Sequence, residues 1–217
     1  MLPALGLTVG LGLLATAGIE SIISVPATPQ IGTVPAVQTP APTALTTQPR
    51  PDTPALLGPA APTGPLPQHL ALPSLQVDAS IVAVGLHPDG DLTVPDDPHL
   101  LGWWQTGARP GDQQGTIVID GHVDTATDGP GALFSLRQLR PGDPVVLSTN
   151  HGSWPYLIVA LRSYPKANLP AEVFTSTGPP RLVIITCGGA FNHSTRQYAD
   201  NIIAYALPAP TNLSARS

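Results

Sequence analysis

Charge is scarce in this 217-residue chain: Asp, Glu, Lys and Arg make up 11% of it, nine basic residues against fourteen acidic, for a formal net charge of -5. Without clustered Lys and Arg there is no surface for a phosphate backbone, so nucleic acid is excluded as a partner. Cysteine is scarcer still. The single Cys187 rules out an internal disulfide framework and any zinc site built from several thiolates. It is left as either an inert buried thiol or a nucleophile. Long apolar runs are confined to the start of the chain, where residues 2–19 carry no charge before Glu20. That length crosses a bilayer as a short helix. No Lys or Arg precedes it, so its orientation cannot be read from flanking charge. Residues 1–25 are expected to be a membrane anchor or signal peptide.

Proline and glycine are abundant instead, 28 and 21 residues. Twelve of the prolines fall within residues 26–68, where Arg50 and Asp52 are the only charges. Proline at that density removes amide donors and favours extended, polyproline-like backbone, so 26–68 reads as a flexible linker. A domain of 69–217 follows, beyond the anchor. There it meets an oxidising compartment, in which a lone free thiol points to use.

This last region reads as short strands separated by turns, at 76–84, 91–94, 116–119, 143–148, 156–162, 182–186 and 201–206, with helical pieces at 133–139 and 170–174. Many short strands, few helices and frequent Gly/Pro punctuation predict an all-β, closed or nearly closed barrel. Trp103 and Trp104 are expected at the barrel edge on opposite faces of one strand. The Gly-rich loop 107–115 is expected to border the site.

Two strand ends carry candidate chemistry. Residues 116–125, TIVIDGHVDT, run an apolar strand into Asp120-Gly121-His122, which holds an imidazole on rigid backbone where it serves as a general acid or base. Residues 181–192, RLVIITCGGAFN, run a second apolar strand into Thr186-Cys187, with two glycines that let a bound peptide approach the backbone. A thiolate forms there only with a cation or acid-base partner nearby. His193 and Arg196 follow in the next segment, and an arginine fork suits a substrate carbonyl or an oxyanion. No second cluster of His or carboxylates at ligand spacing accompanies them, so no metal and no cofactor are expected.

Taken together, the apolar start, the proline-rich spacer, strand-GHVD and strand-TCGG, with 65 residues from His122 to Cys187, resemble the sortases, and in particular class F sortases of actinobacteria. The resemblance covers about 72–207. It implies a sortase-like eight-stranded β-barrel with short helices, and a cysteine transpeptidase at the extracytoplasmic face of the membrane. It implies cleavage of Leu-Pro-x-Thr-Gly (LPxTG) sorting signals between Thr and Gly. A cell-wall precursor amine, or water, then accepts the acyl group. On that pattern Cys187 is the nucleophile, His122 the acid that protonates the departing amine, and Thr186 a substrate-binding neighbour. Family members carry an arginine on the last strand, many within Tyr-Arg-Asp-Asn, whereas this chain has Tyr198-Ala199-Asp200-Asn201. Arg196 is therefore the remaining candidate for that role. Two alternatives stand beside this reading: an unrelated cell-wall hydrolase pairing Cys187 with His193, and a catalytically silent surface-binding barrel in which Cys187 is structural.

Overall fold

The structure, a computed structural model, describes residues 30–36, 62–88 and 91–210. The expected anchor over 1–25 and the central part of the expected linker lie outside the described residues. Among the described residues no helix is long and apolar enough to cross a membrane.

Among the described residues eleven strands occur in chain order: β1 (Ile31–Gly32), β2 (His69–Leu72), β3 (Val77–Val84), β4 (Leu101–Trp104), β5 (Thr116–Asp120), β6 (Asp124–Thr125), β7 (Gly129–Pro130), β8 (Pro144–Thr149), β9 (Gly152–Pro165), β10 (Arg181–Asn192) and β11 (Gln197–Pro208). Eight of them close on themselves in the order β9-β11-β10-β5-β4-β3-β2-β8, the β8/β9 hairpin completing the ring. The expected eight-stranded sortase-like β-barrel is the observed architecture. All neighbours are antiparallel except β3/β4 and β5/β10. The short β1 extends the free edge of β9 beyond the end of β8, and Arg162 clamps it by donating to the carbonyls of Ile31 and Gly32, at 2.5 Å each.

Alternation along the strands sorts side chains into two apolar layers. Leu70, Leu101, Trp103, Ile117, Ile119, Leu182, Ile184 and Ile202 fill the barrel. Val118, Val183, Ile185, Ile203 and Tyr205 face outward under Leu92, Trp104, Leu169 and Phe174. Because β5 and the first half of β10 are covered on both faces, they read as unbroken apolar runs rather than alternating ones. The outer cover ends at Cys187, where β10 turns from buried to exposed.

Several expectations shift. Trp103 is not at the barrel edge but inside it, 2% exposed, with its indole N–H donated to the Ala108 carbonyl. Trp104 does face the other way, edge-on to Phe174. The 91–94 stretch makes one bridge, Leu86 with Leu92, instead of a strand. Both helical pieces are single 3-10 turns, Leu136–Gln138 and Ala171–Phe174. In the first region Leu133, Leu136 and Leu139 are buried at a spacing of three, the period of a 3-10 turn, and Pro141-Gly142 stops any extension. At the opposite end of β5 and β10 from Cys187, buried Arg181 ties the parallel pair together by donating to the Thr116 hydroxyl at 2.9 Å and to the Glu172 carbonyl.

Candidate active site

The two motif-bearing strands are neighbours. Asp120 is the ladder partner of Ile185 in the parallel β5/β10 pair. One residue on, the Gly121 amide donates to the Ile185 carbonyl at 3.2 Å, and the Thr186 hydroxyl donates to the Gly121 carbonyl at 2.8 Å. His122 and Cys187 are the next residues in their chains: the imidazole follows the end of β5, while the thiol stays within β10, which runs on to Asn192. Thr186 is only 3% exposed and its hydroxyl proton is committed to Gly121. It pins β10 to the end of β5, and it also lines the cleft that holds Cys187, where a substrate contact is expected of it.

His122 is half-buried, and its Nε2 lies 2.8 Å from the Pro95 carbonyl oxygen. A carbonyl only accepts, so Nε2 carries the hydrogen and Nδ1 is the nitrogen left for acid-base exchange. The backbone beneath the ring is held from the other side. The Gly131 amide donates to the Val123 carbonyl at 2.9 Å and the Leu133 amide to the His122 carbonyl at 3.2 Å. A Cβ on Gly131 would sit 2.5 Å from the His122 carbonyl oxygen, a rigid backbone atom. Gly131→Ala is therefore expected to push His122 out of register and lower any His122-dependent activity by about tenfold or more, given the sensitivity of catalysis to misplacement on the scale of 1 Å. Circular dichroism alongside the assay checks that the barrel persists.

On β10 the side chains of Ile185 and Cys187 point to the outer face, as do Asp120 on β5 and Asn201, the cross-strand partner of Cys187 on β11. Half-buried Cys187 lies on a cleft of about 370 Å³ with apolar walls from Leu92, Val94, Leu169, Phe174 and Ile185, and polar ones from Asp91, Asp120, Lys166 and Asn201. Extended peptide with apolar side chains fits such walls. Among the described residues, no group of three or more His, Cys, Asp or Glu is placed to hold a metal ion.

Past Cys187 the β10/β11 hairpin is deformed. The register slips between Gly188 and Phe191, where Gly189 adopts a φ of +75°. Such a bulge bends and twists the strand pair, and only glycine takes that backbone without strain. The bent arm carries a cluster in which Phe191 packs edge-on against His193 and Tyr198. Tyr198 returns to the His122 side, donating its hydroxyl to Asp124 at 2.6 Å. Burial, the Asp124 carboxylate and the Cys187 thiolate push the Tyr198 hydroxyl up to about 12.

Arg196 occupies the tip of that arm, exposed, with a left-handed φ of 55°. It lies five residues from Asn201, about 16 Å of extended strand from the Cys187 level. His193 is in the same four-residue turn. A second guanidinium, which the motifs do not flag, belongs to Arg137 on the 3-10 turn packed against β11. Its positive charge acts on the Tyr198 hydroxyl. The loop 107–115 does not border this site. It lines a separate cleft of about 250 Å³ with Trp154, Tyr156 and Arg181, at the starts of β5 and β10.

A closed β-barrel with a thiol on one strand, opening on a partly apolar cleft, and an imidazole just past the end of the parallel neighbour defines a candidate cysteine enzyme of the peptide-transfer type. The sortase-domain family model matches residues 70–209, and the chain belongs to the sortase family. Solved structures agree on the fold. Group B Streptococcus pilus island 1 sortase C2 is 17% identical, with 66% of this chain and 73% of that chain covered and a TM-score of 0.52. Streptococcus agalactiae sortase C1 in complex with MTSET is 15% identical, with 66% and 67% covered and a TM-score of 0.53. A pilus-related sortase C of group B Streptococcus is 12% identical, with 69% and 70% covered and a TM-score of 0.51. No curated protein matches the chain.

Proposed function

We propose that this sortase is a class F cysteine transpeptidase at the extracytoplasmic face of the membrane, anchored by residues 1–25. It cleaves Leu-Pro-x-Thr-Gly signals between Thr and Gly. The observation that supports the reading is the Thr186–Gly121 bond across the parallel β5/β10 pair, which joins the residues directly before Cys187 and His122, with Cys187 on the cleft. The class assignment rests on GHVD and TCGG, with the apolar start and the proline-rich spacer before them.

In this reading the Cys187 thiolate attacks the Thr carbonyl carbon, and the C=O electrons become an oxyanion. As the C–N bond breaks, His122 gives its Nδ1 proton to the departing Gly amine, leaving a thioacyl group on Cys187. An amine from the cell wall then attacks the thioester, His122 takes up its proton, and the thiolate leaves. Water in place of the amine gives hydrolysis. Arg196 is assigned the guanidinium that holds substrate or oxyanion, and Arg137 is a second cation near the same Tyr198.

The test is the 217-residue chain incubated with an LPxTG peptide, with and without a glycine-based amine, followed by mass spectrometry of products and intact protein. Cleavage between Thr and Gly, with an acyl adduct on Cys187, is expected. Arg196→Ala lowers turnover about a hundredfold if this guanidinium faces the oxyanion, and Arg137→Ala is the parallel measurement. A folded protein giving neither cleavage nor adduct overturns the reading.

A further inference from the structure

Asp120 has no part in the chemistry above, yet it is the most unusual polar group in the cleft. It is 5% exposed at the end of β5 and lines the same cleft as Cys187. Its Oδ1 is buried with no hydrogen-bond partner. The space for that oxygen is supplied by Gly102, its partner on β4, where any Cβ would overlap the carboxyl. A carboxylate in such a place is normally paired with a cation or heavily hydrogen-bonded. Among the described residues no ion pair holds Asp120.

The surroundings on every side can be stated. β4 and β3 present Gly102 and Val84, without charge. β10 presents Cys187, and β11 presents the neutral Asn201. The segments roofing the cleft add Lys166 and Asp91, and His122 lies two residues further along the chain. By sign, a cation such as Lys166 favours an ionised Asp120 and an anion such as Asp91 or a Cys187 thiolate opposes it, but burial is the largest cause of its shift.

We propose that Asp120 is a proton-linked positioning residue for Cys187: its neutral carboxyl keeps the shared cleft wall uncharged so that the thiolate forms there, and its ionisation makes the thiolate harder to form. The inference rests on the reading of Cys187 as the nucleophile. Burial, partly offset by the backbone amides of Asp120 and Gly102, pushes the carboxyl up to about 7, so its change of charge falls in the neutral range. A negative charge on a cleft wall opposes the formation of a second one there. The proton released by either group goes to solvent.

The test needs no peptide substrate. Cys187, the lone thiol, is alkylated with iodoacetamide, a neutral reagent, in the 217-residue chain and in Asp120→Asn across the neutral range. At about pH 5.5 the two rates agree within about twofold; at about pH 8.5 the variant reacts about tenfold faster, because the wild-type thiol then ionises beside a carboxylate. Parallel profiles overturn the proposal. Infrared titration of the wild type supplies a readout that stands if the variant does not fold. A protonated-carboxyl band lost around pH 7 is expected, and a spectrum in which every such band is gone by about pH 5 overturns the proposal. Because both readouts concern the free protein, a failure to cleave sorting signals leaves them interpretable, and the two failures are distinct.

Discussion

Replacing His122 with alanine is expected to lower kcat/KM for the proposed sorting-signal cleavage by about three orders of magnitude, and replacing Cys187 with alanine to remove it altogether, with thermal unfolding of both variants close to wild type. The kinetic losses differ because the two residues do different things. Cys187 makes and breaks the covalent bond, so without it no thioacyl species exists. His122 moves a proton that water delivers slowly in its absence. Stability is spared because both side chains are half-buried, and the bonds joining the two strands there come from Thr186 and the main chain. Steady-state assays with calorimetry on the same samples decide the matter. Full activity in His122→Ala would remove the imidazole from the mechanism, and equal loss in His193→Ala would shift the acid-base role to the hairpin tip.

The second large effect concerns stability and pH. Asp120 has an ordinary value of 3.8 in the unfolded chain and about 7 in the fold. Below the lower value both states hold the proton; above the higher one neither does. Between them the folded state keeps a proton that the unfolded state has lost, so the contribution of Asp120 falls steadily as pH rises through that window. The full fall is about 4 kcal/mol, since each tenfold change in proton affinity is worth 1.36 kcal/mol. Urea unfolding at about pH 4 and about pH 7.5 is expected to show wild type losing stability relative to Asp120→Asn by several kcal/mol, a slope the amide cannot have. A constant gap between the two proteins would mean that the buried carboxyl titrates normally.

Much of this molecule is legible from residues alone. The apolar runs 116–119 and 182–186 identify strands buried on both faces, and these are the two that carry His122 and Cys187. The motifs locate the pair because strand ends are rigid and the residues just past them are reachable. What escapes the sequence depends on contacts between distant segments. His69–Leu72 and Leu101–Trp104 are too short to stand out from the turns around them, and they become strands because the ring needs partners there. Thr186 reads as a group beside the substrate, and the reach of its hydroxyl to a carbonyl 65 residues away does not show in the sequence. Arg137 sits in a run that looks purely structural, and its nearness to Tyr198 follows from the packing of that turn on β11. The glycine pair after Cys187 reads as room for a bound peptide, and neither the bulge at Gly189 nor the return of Tyr198 to Asp124 shows in the sequence.

The seam between β5 and β10 also governs how the protein comes to be active. The hairpins β2/β3, β8/β9 and β10/β11 join segments close in sequence, and their ends meet at small entropic cost. The β5/β10 pairing must instead bring together residues 65 apart, with β6 through β9 between them. Contacts of that span form late and slowly in two-state folding. A partly folded or still emerging chain therefore possesses its hairpins and its thiol, but not the alignment of thiol with imidazole. On the proposed reading, a chain in which β5 and β10 have not yet paired carries a cysteine without the imidazole that would activate it.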